Sequence, residues 1–125
     1  MLALWRAAGG PAGVTDTPDG LARLLRRDRE ALLIADCGGV PIASLIALWD
    51  GWRGNFYRLA VRPERRREGI ATALLRAGES RLRALGAMRL AAVVADQDPG
   101  ALEFWRAAGY QRQPDRTRFV RHLEG

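Results

Sequence analysis

Residues 59–75, LAVRPERRREGIATALL, constrain the fold more than any other stretch of this chain. It begins with the apolar end of a strand, which is followed by an arginine-rich loop that ends at Gly69. After Gly69, apolar residues recur at the spacing of a helix. That pattern continues to Leu85, and Gly86 is a typical helix C-cap. The stretch therefore predicts a sheet with a helix packed against it.

A strand meander is predicted before this stretch. Residues 31–36, 40–49 and 55–61 have strand length and composition, and glycine-containing turns separate them at 37–39 and 50–54. A helix opens at Thr17-Pro18, with threonine as the N-cap and proline at the first helical position, and extends to about Arg27. Residues 2–8 predict a shorter helical piece.

Further elements are predicted after the long helix. Residues 89–94 form a buried strand, residues 101–108 a short helix, and residues 110–113 and 118–123 a final hairpin. A meander followed by a strand–helix–strand crossover implies an α/β fold, with a mixed sheet and helices on both faces. The length of 125 residues predicts that 1–125 is a single domain.

The composition, 48% hydrophobic and 27% charged, argues against disorder. No apolar run reaches the roughly 18 residues of a membrane span, and residues 1–13 lack the order of a signal peptide. A lone cysteine, Cys37, excludes an internal disulfide. We therefore expect a soluble, cytoplasmic protein.

The net charge of +6 favours anionic partners, namely nucleic acid, phosphorylated cofactors or acidic proteins. All twenty basic residues are arginines, which excludes a lysine Schiff base or a P-loop lysine. His122 is the only histidine and has no neighbouring cysteine or carboxylate cluster, so no metal site is expected.

The helix start at Gly69 predicts an anion site. Free N–H groups and the helix dipole attract negative charge there, glycine permits close approach, and Arg66 and Arg67 add donors. A solvated basic loop before an ordinary helix fits the same residues. Neither a Walker A loop nor the Gly-x-Gly-x-x-Gly fingerprint is present.

Two motifs carry a resemblance to a known family. Residues 66–71, RREGIA, fit Gln/Arg-x-x-Gly-x-Gly/Ala, and residues 101–110, ALEFWRAAGY, are similar to Ala-x-x-Phe-Tyr-x-x-x-Gly-Phe. In these motifs the chain resembles the GNAT superfamily of N-acetyltransferases, and the turn at 50–54 resembles a small bacterial single-domain type. The resemblance runs from about residue 16 onward and implies a GNAT-like, mostly antiparallel mixed sheet.

The resemblance also implies where acetyl-CoA binds. The strand ending at Val61 is expected to bulge and splay from the strand holding Val93 and Val94, which leaves backbone groups unpaired for the pantetheine arm. The implied cofactor-binding residues are Leu59, Ala60, Val61, Arg66, Arg67, Gly69, Ile70, Ala71, Thr72 and Phe104.

The implied reaction is acetyl transfer to a primary amine of a small molecule, peptide or protein. The Val61 amide would hold the oxyanion, and Tyr57 and Trp105 complete the catalytic candidates. Trp105 replaces the family's tyrosine and cannot act as an acid. Neither predicted strand 55–61 nor 89–94 carries a carboxylate, so the base is sought among Asp50, Tyr57, Asp96 and Asp98.

Several alternatives stay open at this point. Tyr57 also fits a core aromatic, Asp98 fits first a helix N-cap, and Trp49 and Trp52 fit either packing or cleft lining. The absence of the family's tyrosine and of a carboxylate on the predicted strands also fits a catalytically degenerate acyl-CoA-binding or regulatory domain. The arginine cluster at 62–67 also fits a nucleic-acid-binding module, but no interleaved aromatics accompany it.

The N-terminus departs from the family as well. Members of the family usually begin with a strand, whereas this chain already looks helical at its start; either that strand is missing or the chain begins late relative to its relatives. The strand at 31–36 would then be an exposed edge that a partner covers, which suggests a homodimer.

Overall fold

The computed structural model describes residues 3–5, 17–94 and 98–123. The chain divides into two units, one up to Val93 and one from Val94 onward, and each is described by itself. Residues 3–5 are helical, and the remainder of the helix predicted over 2–8 lies outside the described residues. In these ranges no helix is long and apolar enough to cross a membrane.

Helix α1, Pro18–Arg27, begins where the sequence predicts it. The Thr17 hydroxyl accepts a hydrogen bond from the Gly20 N–H at 3.0 Å, and proline occupies the first turn. Arg26 and Arg27 lie in the last turn, where they oppose the negative end of the helix dipole. A short 3₁₀ helix, Arg29–Ala31, leads into the sheet.

The sheet has four strands in the order β1-β2-β3-β4. Strands β1 (Leu32–Cys37), β2 (Val40–Trp49) and β3 (Gly54–Val61) form the predicted antiparallel meander. Gly38 and Gly39 close its first turn with φ of 59° and 84°, values that glycine adopts without strain. The mixed, mostly antiparallel sheet is confirmed, because β4 (Leu90–Ala92) pairs parallel to β3.

β4 is shorter than the predicted strand over 89–94. Its pairing runs from Gly54–Leu90 to Phe56–Ala92 and ends there. The predicted strand residues Val93 and Val94 therefore lie beyond β4. The reason is non-local, because β3 bulges directly after this pairing and no longer offers β4 a regular edge.

Helix α2, Ile70–Leu85, confirms the predicted long helix. Gly69 precedes it with φ 79°, and Gly86 ends it with φ 112°. The Ala87 N–H donates to the Leu82 carbonyl at 2.9 Å, which closes the last turn. A second 3₁₀ helix, Pro63–Arg65, lies in the loop between β3 and α2.

Helices cover both faces of the sheet. On one face Leu4, Trp5 and Ile46 form a buried cluster with the partly buried Leu21 and Leu24 of α1. On the other face α2 packs closely, because Gly78 lies against Leu45, Ala47 and Phe56. Within the described ranges β1 is the outer strand on one side of the sheet, with no strand before it.

The second unit contains α3, Pro99–Ala107. The Asp98 carboxylate accepts a hydrogen bond from the Ala101 N–H at 3.0 Å, so the N-cap interpretation of Asp98 is confirmed.

The predicted final hairpin is wrong. Described residues 110–123 contain no strand, and Phe119, Val120 and Leu123 are all exposed. Phe119 and Val120 are adjacent, so an extended strand would direct them to opposite faces, and neither face would be uniformly apolar.

Candidate functional site

A bulge in β3 shapes the end of the sheet that the sequence marked out. Ser44 of β2 lies opposite Ala60 and Ile46 opposite Tyr57, so Arg58 and Leu59 of β3 together face a single residue of β2. Arg58 has a φ of 53°, which is rare for a residue with a side chain. The bulge expected from the family resemblance is confirmed.

Ser44 holds this bulge in place. Its hydroxyl donates to the Arg58 carbonyl at 2.9 Å and accepts the Trp5 Nε1–H at 2.8 Å. Ser44 is fully buried and Trp5 is 6% exposed, so the bond between them lies in the core, whereas the bond to Arg58 is partly buried. The Arg58 guanidinium lies 5.1 Å above the Trp5 ring. Burial lowers the pKa of the Arg58 guanidinium, which nevertheless stays charged at neutral pH.

The pairing of β3 with β4 ends before the bulge, which leaves a gap on the β4 side of the rest of β3. Their pairing ends at Phe56, whereas β3 continues to Val61. The Arg62 N–H donates to the Ile42 carbonyl at 2.9 Å, so residue 62 faces β2. Because neighbouring residues of a strand alternate, the N–H and C=O of Val61 point away from β2 into the gap. The Arg66 Nε donates to this Val61 carbonyl at 3.3 Å, which confirms its direction.

The start of α2 supplies amide donors beside this gap. The Ala73 N–H donates to the Gly69 carbonyl at 3.1 Å and is the first intrahelical donor, so the N–H groups of Ile70, Ala71 and Thr72 have no acceptor within the helix. A Cβ placed on Gly69 would meet no atom within 4 Å. The helix N-terminus therefore opens onto free space, as an anion site requires.

Some arginines near the loop between β3 and α2 bond to other residues of the protein, whereas Arg67 is exposed. The Arg62 Nε donates to the Pro41 carbonyl at 3.0 Å, and the Arg65 Nε pairs with the Glu68 carboxylate at 3.2 Å. A hydrogen bond with the Cys37 side chain raises the pKa of Arg65, and Glu68 adds to this effect. Arg67 is exposed and adopts a φ of 67°.

The structure brings most of the predicted cofactor residues to this one end of the first unit. They are Leu59, Ala60, Val61, Arg66, Arg67, Gly69, Ile70, Ala71 and Thr72. Phe104 belongs to the second unit, and its predicted role at the acetyl group stays a prediction.

Trp105 is buried within the second unit. Its ring makes edge contacts with Phe104 at 5.6 Å and with Tyr110 at 5.0 Å between centroids. Tyr110 therefore places a phenol next to Trp105, the residue that stands where the family has tyrosine. The sequence alone did not indicate this contact.

Asp50 is not placed to act as the base. Its carboxylate accepts the N–H groups of Trp52 at 2.8 Å and Arg53 at 2.6 Å, and the bond from Arg53 is the main reason that the pKa of Asp50 is lowered. It stands before the first residue of β3, about 25 Å of extended strand from Val61.

Trp49 and Trp52 lie at this same end of β3, away from Val61, which favours packing over cleft lining. Trp52 is 70% exposed with the Arg53 guanidinium 3.9 Å above its ring, and Trp49 lies 3.9 Å from a Cβ built on Gly86.

Tyr57 is the base candidate closest to the bulge. It pairs with Ile46, shares the sheet face of that residue, and is 42% exposed, so it is not a core aromatic. Asp96 lies outside the described residues. Among the described residues no group of three His, Cys, Asp or Glu side chains could hold a metal ion.

Sequence reasoning missed Ser44 and Trp5. A serine between apolar residues in β2 was the available signal, because a buried hydroxyl requires partners.

A family model described as the acetyltransferase (GNAT) family matches residues 2–110. The chain belongs to this family. An acetyltransferase of Yersinia pestis (strain Pestoides F) is 31% identical over 93 residues, which are 74% of this chain and 66% of that relative. The chain thus spans slightly less than two thirds of the relative's length.

Solved structures of acetyltransferases share the fold of this chain. The PaiA N-acetyltransferase of Thermoplasma acidophilum, solved with coenzyme A, has a TM-score of 0.75 and 14% identity, covering 90% of this chain and 82% of its own. An aminoglycoside 6'-N-acetyltransferase of Acinetobacter haemolyticus has a TM-score of 0.66 and 20% identity, covering 98% and 90%.

Proposed function

We propose that this GNAT protein is an acetyl-CoA-dependent N-acetyltransferase that acts on a primary amine. The observation that carries the proposal is the gap between β3 and β4 next to the open N-terminus of α2. Membership in the GNAT family supports it, and so does the Thermoplasma acidophilum structure, which contains coenzyme A.

Acetyl-CoA fits the groups present at this end of the sheet. The edge of β3 at Leu59 and Val61, with which β4 does not pair, is open to an extended amide-containing arm, although the Val61 carbonyl also accepts the Arg66 Nε–H. The amides of Ile70, Ala71 and Thr72 offer donors to a pyrophosphate, and the exposed Arg67 adds charge.

Bound acetyl-CoA supplies a thioester-activated acetyl group. The Val61 N–H, directed into the gap, would donate a hydrogen bond to the acetyl carbonyl oxygen and so stabilise the charge that develops there. Tyr57, on the strand just before the bulge, would accept the proton of the attacking neutral amine on its phenol oxygen while its own O–H proton passes to water, and coenzyme A would leave as the thiolate. Trp105, the remaining catalytic candidate, can donate a hydrogen bond from its indole but cannot protonate the thiolate.

The first test is calorimetric titration of acetyl-CoA into the purified protein and into a Gly69→Asp variant. The added carboxylate stands where the pyrophosphate would lie, so we expect affinity to fall at least about tenfold. Gly51→Asp is a matched control, because Gly51 also has a positive φ, 90°, and open surroundings but lies at the opposite end of β3. Failure of the folded parent to bind acetyl-CoA would refute the proposal.

Turnover is tested on a panel of primary amines with the parent and Tyr57→Phe. We expect kcat to fall about tenfold to a hundredfold in the variant with an unchanged affinity for acetyl-CoA, since the phenol would act only in proton transfer. Tight binding of acetyl-CoA without turnover of any amine would instead support the degenerate acyl-CoA-binding domain.

The acceptor proposed here carries an anionic group besides its amine. The net charge of +6 supports this choice, because a positive surface concentrates anions and repels polycations. The comparison is kcat/KM for paired amines that differ only in a carboxylate. Equal values would contradict an anionic acceptor and leave acetyl transfer itself intact.

We further propose that residues 1–125 form one domain and that the protein is cytoplasmic. The family match runs through both structural units, which supports a single functional domain. The single cysteine supports a reducing compartment.

Steep, salt-dependent binding of nucleic acid with no effect of coenzyme A would favour the nucleic-acid module instead.

A further inference from the structure

The outer edge of β1 presents backbone groups in a regular row. In the described ranges β1 pairs only with β2. The Ile42 carbonyl bonds to Arg62 of β3, so by alternation Ala43 faces β1, where it pairs with Ala35. The backbone groups of Leu32, Ile34 and Asp36 therefore point outward from the sheet.

This edge has few of the features that usually protect an exposed strand, since Asp36 is the only charged residue of β1. The irregularity in the β1–β2 pairing adds its extra residue to β2, at Ile42, so β1 itself stays regular. β1 contains neither proline nor lysine, and Ile34 at its centre is 47% exposed.

A groove accompanies the edge on one face of the sheet. It has a volume of about 540 Å³ and is lined by Leu25, Arg26, Arg29, Leu32 and Ile34. Leu32 pairs with Ile46 and Ile34 with Ser44, so both side chains share the face on which Trp5 packs. Arg26 and Arg29 form no ion pair with any described residue and place two positive charges at the rim of an apolar floor.

We propose that the β1 edge is an interface with a second copy of this chain, in which two β1 strands pair antiparallel about a two-fold axis at Ile34. Ile34 then lies opposite the partner's Ile34, and Leu32 lies opposite the partner's Asp36. The two sheets become one continuous sheet, and the outward backbone groups of both strands are paired.

The charges on β1 and its groove favour a second copy as the occupant. Side chains that lie directly opposite each other share a face, so the partner's Asp36 lies on the face of Leu32, beside Arg29. The two-fold axis produces this contact twice. Ile34 and the apolar floor of the groove supply the centre, and the Arg29–Asp36 pairs supply a polar rim.

The oligomeric state tests the proposal and is measured by sedimentation velocity. Physiological ionic strength is used, because the salt screens the repulsion between two chains of charge +6. We expect the parent to be dimeric and Ile34→Lys to be monomeric, because it places two ammonium groups face to face at the axis. Met88→Lys is the matched control, since Met88 is 98% exposed and lies outside β1 and the groove, and it should remain dimeric. Far-UV circular dichroism verifies that each variant is folded.

Charge exchange tests the register. We expect Arg29→Asp and Asp36→Arg each to weaken dimerisation about tenfold, and the double variant to restore it, because exchange re-forms the pair with reversed sign. A parent that stays monomeric up to about 1 mM overturns the interface. A dimer that Ile34→Lys leaves intact also overturns it, and a double variant no better than the singles overturns the register. None of these outcomes depends on acetyl transfer.

Discussion

Ser44 is a small side chain whose two hydrogen bonds connect three separate parts of the chain. It joins the N-terminal helical residues, through Trp5, to β2 and to the bulge of β3, through the Arg58 carbonyl. The positive φ of Arg58 is unfavourable by itself and persists because its surroundings hold it. The direction of the Val61 amide follows from this local arrangement.

We expect Ser44→Ala to lower the free energy of unfolding by about 1–3 kcal/mol, because it removes the hydroxyl that accepts the buried Trp5 N–H and donates to the Arg58 carbonyl. It should also weaken acetyl-CoA binding, since the bulge loses its restraint. Urea unfolding and calorimetry measure the two effects.

A double-mutant cycle with Trp5→Phe isolates the hydrogen bond between the two side chains. We expect a coupling of about 0.5–1.5 kcal/mol. Additive losses would show that Ser44 acts through the Arg58 carbonyl alone.

Sequence reasoning at the residue scale succeeded where the chemistry is local. Thr17 and Asp98 were predicted as N-caps, and their side chains accept the expected amide hydrogen bonds. The role of Ser44 could not be predicted, because both of its partners are distant in the chain and the bulge that gives it a partner is a property of the assembled sheet.

At the scale of elements, α2 lies close to the sheet because it has glycine at the point of contact. A Cβ on Gly78 would stand 2.9 Å from Phe56 Cε1 and 3.0 Å from Leu45 Cδ2. Such distances require the helix or the core side chains to move.

We expect Gly78→Ala to destabilise the fold by about 1–3 kcal/mol, although alanine favours a helix more than glycine by about 1 kcal/mol. Ser80→Ala is the control, because Ser80 is an exposed position of the same helix and should gain slightly or stay neutral. Thermal unfolding of both variants measures the difference. A stabilised Gly78→Ala would show that α2 is less tightly packed than these distances indicate.

The elements that sequence reasoning mispredicted are those that depend on distant pairing. The bounds of β2 and of α1 follow from turn and cap residues beside them, and both were predicted. Residues 89–94 and 110–123 have strand-like composition, but a strand forms only where another strand pairs with it. Local sequence does not determine that pairing.

For the whole molecule, the positive charge of the surface has a consequence for binding. Twenty arginines against fourteen acidic residues give a field that attracts a polyanionic ligand over distances comparable to the Debye length.

We expect the association rate of acetyl-CoA to fall about tenfold between low salt and about 0.5 M, because salt screens this attraction. Stopped-flow measurements give the rate, and acetylated pantetheine, which lacks the pyrophosphate, is the control with a nearly constant rate. Equal salt dependence for the two ligands would contradict steering by charge.

The order of strands in the sheet is the same as their order in the chain, up to β4. The first three strands need only short turns to meet, whereas β4 pairs with β3 after the whole of α2 has intervened. Short loops close faster and at a lower entropic cost than long ones. The meander is therefore expected to assemble first and the β3–β4 gap last, so that the end of the sheet assigned to the ligand is completed late in folding and is the first to open when the protein unfolds.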